Sequence, residues 1–226
     1  MAASFVRQGA VFADIGTDHA YLPLFLLTEQ RISSCIASDV REGPLAIAKR
    51  NAEEAGLAHR IVFRLTSGLQ GMEDLGITDV AMCGMGGELI ASLIDEASFL
   101  RDEKIRLILQ PMSRGAFLRS YLASKGFAVT DEAVCLSSGK YYACFAAHYT
   151  GVPHSLTEAE AEVGRLLLLR APNAVERRFI EGVLLSARRR LAGIHREKRR
   201  DTTEAIEGTQ QLILDLEAYL NSYTTL

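Results

Sequence analysis

The chain contains no CxxC pair and no apolar run approaching 18 residues. Its four cysteines, Cys35, Cys83, Cys135 and Cys144, stand far apart. That spacing argues against a zinc site and against a disulfide scaffold, and it fits a reducing cytosol. No stretch is long and apolar enough for a membrane helix, and no leader-like segment opens the sequence, so a cytoplasmic protein is expected. Internal repeats and low-complexity tracts are also lacking. Excess positive charge is missing too: the net charge is −3, which taken alone argues against nucleic acid. The average conceals an asymmetry. Residues 177–200 hold nine Lys or Arg against two Glu, a net of +7, and leave about −10 for the rest of the chain. Charge segregated in this way bears on partners.

What is present is a regular alternation. Apolar strand signals at Val11–Ile15, Ser33–Asp39, Ile61–Leu65, Ile77–Cys83 and Ile105–Gln110 alternate with helical stretches. The helices are expected at Ala20–Leu27, Gly43–Ala55, Glu88–Glu96 and Arg114–Lys125. Pro44 suits a first helical turn, and Gly56 and Gly126 are helix stops. Two further strands, Phe127–Leu136 and Lys140–Tyr149, flank the hairpin signal "SSGK". The expected fold is α/β, a mostly parallel Rossmann-like sheet with an antiparallel edge hairpin. Past about Leu156 strand signals stop. Thr157 and Glu160 form a capping box, Pro172 and Asn173 break the chain, and two apolar stripes at three- and four-residue steps follow. These read as a helical, coiled-coil-like pair. The domain boundary is expected near Gly151–Pro153, giving domains 1–152 and 153–226.

The most informative absence lies in "ADIGTDHAYLP", Ala13–Pro23. It follows the first strand where a nucleotide-binding fold carries a glycine-rich turn, yet only Gly16 is a glycine; Asp18 and Ala20 fill the next two slots. A dinucleotide needs a bare helix N-terminus for its pyrophosphate. A carboxylate at Asp18 would repel phosphate and suit a ligand with a positive centre. S-adenosylmethionine, with its sulfonium and ammonium groups, is such a ligand. Asp39 ends the second strand about 20 residues on, where an acid accepts from ribose hydroxyls, although a helix N-cap is the plainer role. Ser67-Gly68 ends the third strand, where an adenine would lie. "CGMGGE", with Gly84, Gly86 and Gly87, follows the fourth, and so dense a glycine loop points to a close approach to a ligand.

The motifs "ADIGTDHAYLP", "ASDVREGPLAIAKRN", "CGMGGELI", "LILQPM" and "GKYYA", in this order and spacing, resemble the TrmK family of bacterial tRNA adenine-N1 methyltransferases. The resemblance covers the whole α/β part and, more loosely, the helical tail. It implies a class I methyltransferase domain, S-adenosylmethionine as cofactor, tRNA as partner, no metal, and methyl transfer to N1 of adenine 22. By that resemblance Asp14, Gly16, Asp18 and His19 border the methionine end of the cofactor. Asp39 holds the ribose, Ser67 and Gly68 flank the adenine, and Gly84, Met85 and Gly86 line the pocket beside the sulfonium. Two departures stand out. Relatives carry Gly-Asp-Gly where this chain has Thr66-Ser67-Gly68, so an uncharged acceptor replaces a carboxylate. They also carry a helical lead-in ahead of the first strand, so a shortened N-terminal end is expected here.

The chemistry asks for a donor carbon and acceptor nitrogen held in line, and for a group that stabilises the cationic product ring. Asp18 is the first candidate, with His19 and Tyr21 as positioning groups; alternatively Asp18 caps the helix or binds the cofactor's ammonium, and His19 is scaffold. Gln110-Pro111 either shapes the target-base side or turns the chain. Arg188, Arg189, Arg190, Arg196, Lys198, Arg199 and Arg200 are candidates for phosphate contacts, or else form a solvated helix face. A monomer is expected, with a dimer through the tail left open. Methyl transfer to another RNA or a small molecule, and a non-catalytic RNA-binding adaptor on this fold, remain the alternatives.

Overall fold

Runs of four or five apolar residues flanked by polar turns form strands when helices cover both faces of the sheet they build. In a computed structural model, which describes residues 1–196 and 203–223, β1 (Phe12–Ile15) and β2 (Cys35–Asp39) are buried along their whole length. They lie inside a seven-stranded sheet of order β3-β2-β1-β4-β5-β7-β6. The other strands are β3 (Ile61–Leu65), β4 (Asp79–Gly86), β5 (Arg106–Ser113), β6 (Phe127–Ser137) and β7 (Lys140–Tyr149). The first five are parallel; β7 inserts antiparallel between β5 and β6. Ser138 (φ +48°) and Gly139 (φ +76°) join β6 to β7 with two left-handed residues, the tight hairpin whose twist matches its strands.

Helices α1 (Ala2–Phe5), α2 (Tyr21–Thr28) and α3 (Glu42–Glu54) cover one face through Val6, Leu26, Leu27 and Ala52. The other face is covered by α4 (Gly87–Glu96) and α5 (Gly115–Ser124). Ile90 and Ile94 lie one turn apart on α4 and are fully buried, worth about 2 kcal/mol each in transfer free energy. Arg7, just past α1, donates from its backbone and guanidinium to the buried Asp79 carboxylate, tying the chain's first turn to the amino end of β4.

The tail comprises α6 (Glu158–Val163), α7 (Arg165–Leu168), α8 (Ala174–Arg196) and α9 (Thr203–Ser222). The Thr157–Glu160 capping box forms as expected. Ile180, Leu184 and Ala187 of α8 meet Leu212, Leu216 and Leu220 of α9 in one core. Arg188 faces Glu217, whereas Arg190 and Gly208 both face Glu158, so the two helices run antiparallel. Val134, Tyr141 and Ala143 of the hairpin belong to the same core. The helical tail thus uses one face of the edge hairpin as its floor. No helix of the described residues is long and apolar enough to cross a membrane.

Candidate active site

The sheet order reverses between β1 and β4, and at such a switch point the strands' carboxyl ends part to leave a crevice. A cavity of about 370 Å³ lies there, within the range of small-molecule sites. Each of four strands contributes its end: Gly16 and Asp18 after β1, Ser38 to Arg41 at β2, Thr66 to Gly68 after β3, and Cys83 to Met85 of β4. Leu89 and Leu93, one turn apart on α4, complete an apolar wall.

The first turn keeps the backbone of a glycine-rich loop without its glycines. Gly16 has φ +71°, Asp18 +49° and Ala20 +58°, so alternate residues are left-handed. Aspartate tolerates this region and alanine does so at about 1 kcal/mol, a strain that surrounding contacts must hold. They do: the N–H groups of Gly16 and Thr17 both donate to Ser38 O, at 2.8 and 2.9 Å, and Asn51 Nδ2 of α3 donates to His19 O at 3.0 Å. A side chain at Gly16 would collide with the Met85 methyl, so β1 and the "CGMGG" segment close over the same space. The slots that the sequence fills with Asp18 and Ala20 therefore change chemistry, not path.

Asp18 lines the cavity with its side chain 55% exposed, and its Oδ2 lies 2.8 Å from His19 Nδ1. The imidazole in turn stacks on Tyr21, with centroids 5.2 Å apart and planes within 6°. Neither His19 nor Tyr21 lines the cavity; Tyr21 instead borders a separate depression with residues 1–4. Asp39 is 5% exposed and accepts from Arg41 N–H at Oδ1 (2.9 Å), while among the described residues no hydrogen bond reaches Oδ2. The N-cap role is not what it plays: Arg41, not Asp39, precedes the first turn of α3 and makes no side-chain cap. Ser67 is exposed at the cavity wall and Gly68 (φ +56°) turns the chain against Leu93.

Asp14 sits beneath the turn and does not line the cavity. Thr17 Oγ1 donates to its Oδ2 at 2.7 Å, and burial pushes its carboxyl up to about 6. It shapes the turn from below. Because the folded state holds this proton more tightly than the unfolded chain does, the stability Asp14 contributes is full below about pH 4 and is lost as the pH rises through 6. A difference of this size is worth about 3 kcal/mol. Asp14→Asn keeps the acceptor for Thr17 and has no charge to bury. Its stability relative to the parent protein is expected to rise between pH 4 and pH 7 by about that amount. Urea unfolding across that range checks it; a flat difference would mean the carboxylate ionises without penalty.

The cavity's acids, Asp18 and Asp39, suit a cationic ligand, and Asp18 shields α2's N-terminus from phosphate. Thiolate chemistry is disfavoured, since the neighbouring Cys144 thiol and burial hold the Cys83 thiol well above its ordinary range. Among the described residues no group of three or more His, Cys, Asp or Glu could hold a metal ion. Three contributors take roles that sequence reading did not assign them. Gly87 is one: a Cβ there would lie 2.5 Å from Arg114 O, so only glycine lets α4 start against the turn into α5. Gln110 is the second, its Oε1 accepting from Gly84 N–H at 3.0 Å. The third is the Leu89–Leu93 wall, whose i, i+4 spacing on a helix opening from the glycine loop was its available signal.

Of the basic candidates, Arg188 pairs with Glu217 at 2.7 Å, and Arg190 with Glu158 and Glu162 at 3.4 and 3.5 Å. The compensating acids that are scarce on α8 itself come from α6 and α9. Arg189 is exposed. The side chain of Arg196, together with Lys198, Arg199 and Arg200, lies outside the described residues.

Comparison with known proteins gives the same reading. The family model for tRNA (adenine(22)-N(1))-methyltransferase, TrmK, matches residues 12–212. A Bacillus subtilis (strain 168) tRNA (adenine(22)-N(1))-methyltransferase is 36% identical over 140 residues, 62% of this chain and 59% of that protein. The chain thus matches somewhat less than two thirds of that relative's length in sequence. The crystal structure of the B. subtilis m1A22 tRNA methyltransferase TrmK superposes with a TM-score of 0.82 at 28% identity, covering 97% of this chain and 95% of the other. The Streptococcus pneumoniae protein Sp1610, solved with S-adenosyl-L-methionine, superposes at 0.78 with 31% identity, over 97% and 96%. The matched span runs from β1, through all four strand ends that form the cavity, into α9, and the chain belongs to the TrmK family of tRNA (adenine(22)-N(1))-methyltransferases.

Proposed function

We propose that this chain transfers a methyl group from S-adenosylmethionine to N1 of adenine 22 in tRNA. The observation that carries the reading is the β1 turn: a nucleotide-fold loop whose second glycine slot holds a carboxylate in a left-handed residue, facing a cofactor-sized cavity. The cofactor supplies an electrophilic methyl on a cationic sulfur. Asp39 accepts from the ribose hydroxyls through the oxygen that no protein donor occupies. Asp18 balances the positive charge of the cofactor, and Ser67 and Gly68 flank its adenine. Gly84, Met85 and Gly86 border the sulfonium, where the absence of side chains on the glycines lets the methyl carbon and the incoming nitrogen approach.

The target N1 lies on a pairing edge, so the adenine must leave its stack to reach the cavity. Methylation leaves the ring cationic, and the Asp18 carboxylate, held by His19, stabilises that charge as it develops. The stack of His19 on Tyr21, next to Asp18, orients the base. The helical tail offers Arg188, Arg189 and Arg190 to tRNA phosphates, a role also proposed for Arg196, Lys198, Arg199 and Arg200, whose side chains lie outside the described residues; Arg188 and Arg190 would exchange a carboxylate for a phosphate on binding. With tRNA as substrate the reaction belongs in the cytoplasm.

The test is a transfer assay with labelled S-adenosylmethionine and bacterial tRNA lacking 1-methyladenine, followed by nucleoside mass spectrometry and mapping of the modified position. A 1-methyladenosine at position 22 is the expected result. A different methylated nucleoside would keep the enzyme and displace the target; no transfer, with no cofactor binding by calorimetry, would remove the activity.

A further inference from the structure

The end of β4 breaks the sheet's ladder just where the cavity begins. Cys83 pairs with Gln110 of β5, but the next partner of β5, Pro111, stands opposite Met85. Gly84 is therefore an extra residue, a bulge. Pro111, opposite Met85, has no N–H to add to the ladder. Gly84 is left-handed at φ +77°, yet a Cβ there would meet nothing within 4 Å. Glycine at 84 is thus not demanded by protein packing; it is demanded by the backbone turn and by whatever occupies the cavity that Gly84 and Met85 line.

The side chain of Gln110 reaches back to the bulge. Its Oε1 accepts from Gly84 N–H at 3.0 Å, and its Nε2 donates to Pro111 O at 3.1 Å with Met112 Sδ 3.6 Å away. Both ends of the amide are engaged, so its orientation is fixed: oxygen toward Gly84, nitrogen along β5. Gln110 does not itself line the cavity. It acts on the residues that do. Gly84 leads into Met85, whose methyl reaches over Gly16 from the opposite wall.

We infer that Gln110 is a positioning residue for methyl transfer: by holding the Gly84 bulge it sets the distance between the "CGMGG" wall and the β1 turn, and so the placement of the cofactor's reacting end. The inference rests on the proposed function for the identity of the cofactor, but the bulge bond itself does not depend on any ligand.

Gln110→Leu keeps the volume and removes the side-chain acceptor of Gly84 N–H. Gln110→Glu keeps an acceptor at the same reach. In the ligand-free protein, hydrogen exchange at the Gly84 amide is expected to quicken at least about tenfold in Gln110→Leu and to stay near the parent rate in Gln110→Glu. By calorimetry the leucine variant should bind S-adenosylmethionine about tenfold more weakly. Its kcat should fall by more than its KM for tRNA rises, with the glutamate variant recovering most of both. Unchanged Gly84 exchange in the leucine variant would overturn the inference. So would equal losses in both variants accompanied by a lowered melting temperature, because the role would then be general support of the sheet. If the parent protein binds no S-adenosylmethionine, the functional reading fails, and the exchange experiment still decides whether Gln110 holds the bulge.

Discussion

Asp39→Ala is expected to weaken S-adenosylmethionine binding by more than a hundredfold and to abolish methyl transfer at cofactor concentrations that saturate the parent enzyme. Hydrogen bonds to a charged acceptor contribute about 1.5–3 kcal/mol each, and a ribose diol offers two. Losing most of that, about 3 kcal/mol, corresponds to roughly two powers of ten. The carboxylate is 5% exposed at the cavity wall, so little water stands ready to replace it. Asp39→Ala also removes the acceptor for Arg41 N–H, a local turn bond worth about 1 kcal/mol. Asp39→Asn separates the two roles. It keeps an oxygen for Arg41 but presents an uncharged amide, with NH2 in place of the second oxygen, to the ribose, and its loss of affinity should be intermediate. Titration calorimetry with both variants, beside circular dichroism to confirm folding, makes the measurement. Full affinity in Asp39→Ala would take Asp39 out of the cofactor site.

The second large effect lies at the joint between the sheet and the tail. Arg119 of α5 and Glu132 of β6 form an ion pair at 2.8 Å with side chains only 4% and 1% exposed. Arg119 Nη1 donates to Ala161 O of α6, Glu132 Oε2 accepts from Leu166 N–H of α7, and the guanidinium lies 4.7 Å from the Phe145 ring. Arg119 Nη2 is buried with no hydrogen-bond partner among the described residues. Gly164 belongs to the same arrangement: at φ +114°, a Cβ there would stand 2.5 Å from Glu132 Oε1. Removing one member of a buried pair strands the other charge, at about 3–5 kcal/mol. Glu132→Ala is therefore expected to lower the melting temperature by roughly 6–20 °C for a chain of this size. The paired replacement Arg119→Met with Glu132→Leu should restore much of the loss, since apolar groups of similar volume need no partners. Thermal unfolding of the single and double variants decides between this and a surface-like pair, for which Glu132→Ala would shift the midpoint by little. The single variant should also be cut faster by protease in residues 150–156, which connect β7 to α6, as the tail loosens from its hairpin floor.

Much of the architecture is readable along the chain. Strands β1 and β3 fall where their apolar runs do, the SSGK turn makes its hairpin, and Thr157 with Glu160 caps α6. Each of these rests on interactions within a few residues. β4 and β5 run on to Gly86 and Ser113, past the expected ends at Cys83 and Gln110, because each extends by pairing with the other through a bulge. Likewise the acids that neutralise Arg188 and Arg190 lie on other helices, out of reach of a charge count along α8.

The order of residues along the chain already carries the α/β alternation, the hairpin and helical tail, and the chemistry offered at the strand ends: Asp18 in place of a glycine, Asp39, Ser67 and the triple-glycine segment. Motifs at strand ends are local, and their spacing places them at one edge of the sheet. Packing in three dimensions puts Asp14 under the turn and not in the cavity, keeps Asp18 and Ala20 left-handed, and brings Gln110 to Gly84. It alone joined Arg119 and Glu132 to the tail across the hairpin. Those are matters of direction and burial, set when residues up to 42 positions apart along the chain meet in the fold, and no local pattern of residues encodes where a side chain will find its partner.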